Sequence, residues 1–563
     1  MIQPNENKTS TIAITQLSCI EKVLQTTQAC IELKKSHPYI NLIFICMEEY
    51  SREIEFKLNE VFDQIFYINF DQMLIADQKI TLSSVKNNLN QILLKINRFD
   101  IDVSINLDHS KSSTYFASLI KSRHKLGPTI NKSNEILLND RWSQFISSNT
   151  IGKSYSAFNL VDIFKGILGT SHNSYLKEHR KLKNKKVIIH PFSSQRKQKW
   201  PLGKWAEVIY KTLKSNPQIS ILVVGSKDNR IDANHLFKNS ILKKFDDRLI
   251  DIVAKKNIED IYDEFRDTSL FVGHNSLWGH LASLFNVQTL TIGLGTIQPY
   301  EITPYGHFNF TISPRIDCYP CLPDYKCDNL PCHNDISYNL INSVIDLLIS
   351  KQSISFENLK NKVPLILLNK IDIYQTHIDK NHGMIFISCL HNEGTIIDTF
   401  RNFYRILWGL VIADQNISLP FPELSLKKSK ILNHSCTGLN HIIELNKFGR
   451  TYSRYIIEET ESEVPNIADI QKYSKKLPEI DRILLQLKGP YPHLAPLIDY
   501  YQIAKSNIQG ITIKEMAESS FMTYHEALGA SEALLELIST TLKNSKYANN
   551  DEKLPPQQKS IDN

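Results

Sequence analysis

The sequence contains no run of about 18 uncharged apolar residues, the length that a membrane-spanning helix requires. Its first residues, MIQPNENKTSTIAI, include no basic segment followed by a long apolar run, so we expect a cytoplasmic protein. A large excess of charge is also missing, because 65 Lys and Arg oppose 59 Asp and Glu, a formal net charge of +6. This balance does not predict a nucleic-acid partner, but it suits anionic substrates or peripheral contact with an anionic membrane.

Cysteine is scarce, and nine cysteines in 563 residues are too few for a secreted fold built on disulfides. We find no internal repeat of fixed short period. The composition, 42% hydrophobic and 22% charged, excludes collagen-like, coiled-coil and wholly disordered chains. The length exceeds what one hydrophobic core supports and predicts two to four domains.

Short β-branched apolar runs alternate with segments of helical period in two series, one from TIAITQL near residue 11 and one from KKVIIH near residue 186. This alternation predicts an α/β fold with two Rossmann-like domains facing a cleft, followed by a mostly helical C-terminal domain. The predicted ranges are residues 1–175, residues 176–352 with a cysteine-rich loop at 318–332, residues 353–545, and a disordered tail at 546–563.

The loop HPFSSQRKQKWPLGKW directly follows the first strand of the second series. Ser193 and Ser194 supply hydroxyls, Lys197 and Lys199 supply positive charge, and a helix begins near Leu202. Hydroxyls, cations and a helix N-terminus together suit a phosphate group. The alternative is a solvated basic loop whose tryptophans pack the helix onto the sheet.

Two further strands of this series end in turns that suit a ligand. Asp228 follows ISILVVG and could accept hydrogen bonds from sugar hydroxyls, although such a residue is equally a helix cap. Gly295 and Thr296 follow QTLTIG in the loop GLGTIQP, where glycine lets a ligand approach the backbone.

The segment SLFVGHNSLWGHLAS is a strand, a turn and the start of a helix. Asn275 or Ser276 would cap that helix, and His280 lies one turn further on the face shared with Ser276. The residues predict a ligand contact at the strand tip. The alternative is a helix cap and a packed histidine.

Four of the nine cysteines crowd into DCYPCLPDYKCDNLPCHND, at Cys318, Cys321, Cys327 and Cys332. A C-x-x-C pair with two further thiols nearby could hold structural iron or zinc, because thiolates are soft ligands. Free buried thiols and a redox-sensitive pair are the alternatives.

The order of these segments resembles glycosyltransferase family 9, the ADP-heptose-dependent heptosyltransferases. The likeness extends over about residues 10–350 and is stronger in the second half. It implies a GT-B fold, with an acceptor domain first and a donor domain second. It also implies inverting transfer of a sugar, with ADP-heptose favoured, to lipopolysaccharide core or to a protein, with no cofactor required. Some family members hold iron on a similar cysteine-rich loop, which implies a purely structural metal.

The resemblance assigns donor-phosphate contacts to Ser193, Ser194 and either Lys197 or Lys199, because Gln198 occupies the usual lysine position. It assigns the ribose contact to the carboxylate of the GSKD turn.

In the family's D-T/S-G-x-x-H element, Ser276 and His280 match. Asn275 replaces the usual aspartate and Leu277 the usual glycine. These changes leave the sugar unspecified.

Family members carry a Gly-Asp pair before the first helix, and the aspartate is taken as the base that deprotonates the acceptor. Here Glu21 and Lys22 align with that pair, and a lysine is no base unless its pKa is strongly depressed. The candidates are therefore Glu21 and Asp108, which ends the strand IDVSINL, or a base placed elsewhere.

The C-terminal helices carry aromatics at helical spacing, typical of a core or a partner surface. This region could recruit a protein acceptor or form a homo-oligomer. Two functions remain open: a transferase, and a non-catalytic scaffold or nucleotide-sugar-binding protein with a degenerate site.

Overall fold

The computed structural model describes residues 10–69, 82–149, 155–170, 186–256, 258–321, 326–379, 383–390, 394–415, 417, 419 and 424–545. The chain divides into two compact units. The first comprises residues 1–143 and 158–390, and the second comprises residues 144–157 and 391–563. The first unit contains the sheets of the molecule's described part, and the second is helical.

The first unit begins with a parallel five-stranded sheet of order β3-β2-β1-β4-β5. Its strands are β1 (Thr11–Gln16), β2 (Asn41–Met47), β3 (Gln64–Ile68), β4 (Val103–Asn106) and β5 (His124–Leu126). Its helices are α1 (Ile20–Ser36), α2 (Glu48–Ser51), α3 (Glu55–Leu58), α4 (Leu82–Ile96) and α5 (Lys111–Leu119). The β-branched residues of the central strands are buried, as a parallel sheet covered by helices requires.

A short antiparallel hairpin and two helices follow this sheet. They are β6 (Pro128–Ile130), β7 (Ile136–Leu138), α6 (Arg141–Asn149) and α7 (Leu160–Leu168). Asn159 caps the N-terminus of helix α7, where its side chain accepts a hydrogen bond from the Val161 amide, and Gly169 caps the C-terminus with φ +68°. The buried Asp162 of α7 accepts hydrogen bonds from the Tyr305 hydroxyl at 2.6 Å and the Met384 amide at 2.9 Å.

The second sheet has eight strands in the order β10-β9-β8-β11-β12-β13-β14-β15. Its strands are β8 (Lys186–His190), β9 (Ser220–Val223), β10 (Leu249–Asp251), β11 (Thr268–His274), β12 (Gln288–Ile292), β13 (Phe310–Pro314), β14 (Ile371–Asp379) and β15 (Gly383–Ser388). Its helices are α8 (Leu202–Ser215), α9 (Arg230–Phe237), α10 (Ile258–Arg266), α11 (Leu277–Leu284), α12 (Pro299–Ile302), α13 (Pro331–Asp335), α14 (Tyr338–Ile349), α15 (Phe356–Lys360) and α16 (Leu365–Leu368). Both predicted α/β series are therefore present.

The second sheet extends beyond residue 353, where the sequence interpretation begins a mostly helical domain. Strand β14 pairs antiparallel with β13, and β15 pairs antiparallel with β14, so residues 371–388 extend the second sheet. The helical unit instead resumes at residue 391 and also takes in residues 144–157. The segment IDIYQTHID alternates apolar and polar residues, which is the pattern of a strand with one covered face.

The second unit contains α17 (Ile396–Ala413), α18 (Leu426–Glu461), α19 (Ile467–Gln486), α20 (Ala495–Ser506) and α21 (Ile513–Asn544). Its predicted aromatics are core residues, because four of them are buried: Phe400, Phe403, Tyr404 and Trp408. On α18, a side chain at Gly449 would clash with the ring of Tyr524, so this glycine permits close packing of α21. The predicted tail at 546–563 lies outside the described residues. Within the described ranges, no helix is both long enough and apolar enough to cross a membrane.

Candidate active site

Four neighbouring strands of the second sheet bring the predicted donor residues to one edge. Strands β9, β8, β11 and β12 are adjacent and parallel, so their carboxyl ends lie together. Asp228 follows β9, residues 193–199 follow β8, residues 275–280 follow β11, and Gly295 and Thr296 follow β12. The edge of this sheet is therefore the candidate donor site.

The loops after β8 and β12 contact each other. Gln198 Nε2 donates a hydrogen bond to Thr296 Oγ1 at 3.0 Å. Gly295 has φ +65°, and a Cβ atom there would lie 2.8 Å from both the Cβ atom and the carbonyl oxygen of Lys197. Only glycine fits this position, both for its backbone conformation and for its close approach to the lysine.

The two candidate lysines differ in their surroundings. The ammonium group of Lys199 forms an ion pair with Asp232 of α9 at 2.6 Å. Lys197 instead lies against Gly295. The structure thus places a carboxylate beside the ammonium group of Lys199 and the Gly295 backbone beside the Cβ atom and carbonyl oxygen of Lys197.

The remaining residues of these turns are accessible. Ser194 and Asp228 are exposed, and Ser193 is half-buried, with its hydroxyl accepting a hydrogen bond from the Gln195 amide at 3.3 Å. Asp228 belongs to a single 3-10 turn, and Ser226 is the N-cap residue of that turn.

The N-terminus of α11 holds two buried polar atoms that have no hydrogen-bond partner within the described part of the chain. They are Ser276 Oγ and His280 Nδ1. His280 Nε2 lies 3.3 Å from Asn275 Oδ1. Burial lowers the pKa of His280 to about 4, so the imidazole is neutral near pH 7.

Strands β8 and β11 each end in a buried histidine at this edge. The sequence analysis did not select either residue. His190 Nδ1 lies 3.0 Å from the Val224 carbonyl oxygen. His274 Nε2 accepts hydrogen bonds from the Trp200 amide at 3.3 Å and from Trp205 Nε1 at 3.4 Å. Burial lowers the pKa of His190 to about 4 and that of His274 to about 3, so both are neutral structural groups. Their only signal in the sequence is their place at the ends of KVIIH and FVGH.

The cysteine-rich loop packs against the donor loops. The Cys321 amide donates a hydrogen bond to the Gly295 carbonyl at 2.8 Å, and His333 Nε2 lies 2.9 Å from the Lys197 carbonyl oxygen. Arg196 Nη2 donates to the Asp328 carbonyl at 3.0 Å. The cysteine-rich loop therefore contacts the backbone carbonyl groups of Lys197 and Gly295.

The four cysteines of this loop are free thiols, with Cys321 and Cys332 buried and Cys318 exposed. Burial and the neighbouring thiols raise the pKa of Cys332 to about 11. Among the residues that the structure describes, no group of three or more His, Cys, Asp or Glu side chains is arranged to hold a metal ion. The thiols are thus close enough to influence one another.

At the carboxyl edge of the first sheet, Gln16 joins two loops. This fully buried residue donates hydrogen bonds from Nε2 to the Leu107 carbonyl at 3.5 Å and to Thr26 Oγ1 at 3.4 Å. Its Oε1 accepts a hydrogen bond from Ser18 Oγ at 2.6 Å. The loop before α1 and the loop after β4 are consequently held side by side.

The predicted bases lie on these loops. Asp108 is buried, and its two carboxylate oxygens accept hydrogen bonds from the Ser110 amide at 3.1 Å and the Ser110 hydroxyl at 2.9 Å. Glu21 is half-buried in the first turn of α1. The structure adds His109, which is half-buried near Lys22. Burial and then the positive charge of Lys22 lower the pKa of His109 to about 4.

The two halves of the first unit meet along helices that begin at these edges. Helix α1 packs against α11, and Gln28 Nε2 of α1 donates a hydrogen bond to the Tyr305 carbonyl at 3.0 Å. Because α1 follows β1 and α11 follows β11, the candidate acceptor and donor edges adjoin the same helix pair.

Comparison with known proteins defines the class. The sequence model described as glycosyltransferase family 9 (heptosyltransferase) matches residues 92–330, and the protein is a glycosyltransferase. The match contains every donor residue named above and confirms the resemblance over that range. More narrowly, the likeness to family 9 covers residues 92–330, which is less than half of the chain. No curated protein matches the chain.

Solved structures with a similar fold include the family 9 glycosyltransferase of Veillonella parvula DSM 2008, at 14% identity, 61% of this chain, 98% of that chain and a TM-score of 0.46. E. coli heptosyltransferase WaaC with ADP has 13% identity, 53% and 91% coverage, and a TM-score of 0.40. The iron-containing dodecameric glycosyltransferase TibC from enterotoxigenic E. coli H10407 has 13% identity, 61% and 77% coverage, and a TM-score of 0.35.

Proposed function

We propose that this glycosyltransferase moves heptose from ADP-heptose to an acceptor hydroxyl with inversion at the anomeric carbon. The observation that carries the proposal is the pair of buried polar atoms at the start of α11, Ser276 Oγ and His280 Nδ1, without partners in the described chain. Leaving a buried polar group unsatisfied costs about 1–3 kcal/mol. A bound donor with hydroxyl and phosphate oxygens would supply the missing hydrogen bonds.

The diphosphate binds, in this proposal, between Lys197, the Gly295 backbone and the N-terminus of α11. As the glycosidic bond breaks, the leaving nucleoside diphosphate gains negative charge. A lysine, a glycine backbone and helix N-terminal amides stabilise that charge without a metal or another cofactor. Ser193 and Ser194 complete the phosphate contacts.

We assign the contacts of the ribose and of the sugar from the chemistry of the side chains at the same edge. Asp228 is exposed after β9 and would accept hydrogen bonds from the ribose hydroxyls. The family description, heptosyltransferase, supports heptose as the transferred sugar. Asn275, which contacts His280, would accept or donate to a sugar hydroxyl as a neutral group where the family has an aspartate.

The acceptor is lipopolysaccharide core or a protein. The net charge of +6 suits a phosphorylated lipid and peripheral contact with its membrane, whereas the additional helical unit suits a protein acceptor or contacts in a homo-oligomer. Cytoplasmic localisation remains part of the same proposal. Structural iron or zinc on Cys318, Cys321, Cys327 and Cys332 also stays a prediction, and the proposed transfer uses no step through it.

Mass spectrometry of candidate acceptors after incubation with a panel of nucleotide sugars tests this function. We expect an added mass equal to one heptose with ADP-heptose, together with release of ADP. His280→Ala should reduce transfer strongly, because it removes a contact inside the donor site. His235→Ala, on the exposed surface of α9, is the matched control.

The results separate the proposed function from its alternatives. A mass increase equal to a hexose would overturn the heptose assignment. Binding of ADP-heptose by the wild-type protein without turnover on any acceptor would favour a non-catalytic scaffold, which the replacements at Lys22 and Asn275 also suit.

A further inference from the structure

The proposed transfer requires a group that accepts the proton of the attacking hydroxyl. At the aligned position of the first helix stands Lys22, a cation rather than a carboxylate. A base at the carboxyl edge of the first sheet is therefore another residue. The described loops and first helical turns that follow the adjacent strands β1 and β4 carry three carboxylate or imidazole side chains, Glu21, Asp108 and His109.

Asp108 already has a structural role. Both carboxylate oxygens accept hydrogen bonds from Ser110, which is the N-cap of α5. Its own amide donates to Asn106 Oδ1 at 3.1 Å, and the same oxygen accepts from Ser113 Oγ at 2.6 Å. These bonds fix the turn after β4 and hold the carboxylate within it.

Glu21 is placed differently. It lies in the first turn of α1, where a carboxylate interacts favourably with the positive end of the helix dipole. Its charge is also one of the causes that raise the pKa of the adjacent Cys19, so the two side chains are close. The interaction with the helix dipole therefore explains why a glutamate stands in the first turn of α1 without a role as the base.

His109 occupies the next position after Asp108 in the turn that the neighbouring bonds hold rigid. Gln16 ties that turn to the loop before α1, which brings His109 near Lys22, where the family motif has its base. The residue as a whole is half-buried, and its Nε2 atom is enclosed. We propose that His109 is the general base of the transfer reaction, an inference that rests on the function proposed above.

The step balances as follows. The acceptor oxygen forms a bond to the anomeric carbon, and the bond from that carbon to the diphosphate oxygen breaks with its electron pair on the departing ADP. The acceptor proton passes to a ring nitrogen of His109 and is later released to water. Lys22 disfavours protonation of the resting imidazole, which keeps it able to accept a proton.

The strength of this base suits the role. Burial and Lys22 lower the pKa of His109 to about 4. An ordinary aspartate has a pKa of about 3.9, so the lowered pKa of the imidazole lies in the range of an ordinary carboxylate base. The base thus moves from the β1–α1 loop to the β4–α5 loop.

Steady-state kinetics of the full chain with ADP-heptose and the acceptor identified by mass spectrometry test this proposal. His109→Gln keeps the size of the side chain, and we expect kcat to fall by about 10²-fold or more, the usual contribution of a general base. The KM for ADP-heptose and the Kd for ADP should stay within about twofold, because the donor edge is untouched. His109→Asp should recover about tenfold of the lost kcat, since it restores a base.

His124→Gln, at an exposed histidine of β5, is the matched control. Retention of kcat by His109→Gln, or a loss of similar size in Glu21→Gln alone, would overturn the assignment of the base and leave the transferase intact. ADP binding by each variant reports a folded donor half, so a folding defect is distinguished from a catalytic one. If the wild-type protein transfers no sugar, the proposed function itself is wrong, and the assignment of His109 as its general base is wrong as well.

Discussion

The two strand-tip edges of the first unit differ in what their side chains do. At the edge of the second sheet, Ser276 and His280 present buried polar atoms with no partner among the described residues. At the edge of the first sheet, Gln16 and Asp108 use their polar atoms to join and close loops. In our proposal, the donor edge therefore carries its ligand-binding groups in the family positions, whereas the hydrogen bonds of the acceptor edge support a base in a new position.

Gly295 gives the largest expected effect on the donor edge. In Gly295→Ala, a Cβ atom would lie 2.8 Å from the Lys197 carbonyl oxygen in a backbone with φ +65°. We expect the free energy of unfolding to fall by about 2–4 kcal/mol and the affinity for ADP to fall with it, because the loop must move. Thermal or denaturant unfolding and ADP titration measure the two effects.

Gly169→Ala is the matched control for this substitution. Its φ is +68°, but a Cβ atom there meets nothing within 4 Å, so only the left-handed conformation is penalised, by about 1–2 kcal/mol. Equal losses in the two variants would mean that the contact between Gly295 and Lys197 contributes nothing, and the description of the donor edge would then be wrong.

The two lysines of the β8 loop provide the next comparison. Lys197→Ala should weaken ADP binding by about 1.5–3 kcal/mol, the range for a hydrogen bond to a charged group. Lys199→Ala should weaken it less, because the Lys199 ammonium is paired with Asp232. Isothermal titration with ADP checks the order of the two, and a reversed order would transfer the phosphate contact to Lys199.

Substitution of Gln16 tests whether the hydrogen bonds of this residue hold the acceptor edge rigid. In Gln16→Leu the buried volume is nearly kept, but the bonds to Leu107, Thr26 and Ser18 are lost. We expect kcat to fall by about tenfold through misplacement of His109, with ADP affinity unchanged. A fall in ADP affinity together with unchanged kcat would contradict the separation of the two edges.

The sequence allowed the parallel strands and the edge they share to be predicted, because buried parallel strands are continuous β-branched runs. It did not reveal contacts between distant residues. The bond from Gln16 to Leu107 joins residues 91 positions apart, and the ion pair of Lys199 joins residues 33 positions apart. The sequence analysis did not identify His109, because its proximity to Lys22 arises from the packing of two loops that are distant in the sequence. Strand β14 was missed because polar residues interrupt IDIYQTHID, so it lacks the continuous β-branched run that marks the other strands.

The smallest expected effect concerns the cysteine-rich loop, which supports the donor edge without belonging to it. Cys321→Ser keeps the backbone amide that bonds the Gly295 carbonyl, so we expect ADP affinity and kcat within about twofold of the wild type. If the thiols close around iron or zinc, metal analysis of the purified wild-type protein should find it, and the variant should contain less. A wild-type protein that folds and binds ADP without bound iron or zinc would defeat the metal prediction. It would leave a loop held by hydrogen bonds such as those with Gly295, Lys197 and Arg196, with its cysteines as the free thiols that the structure shows.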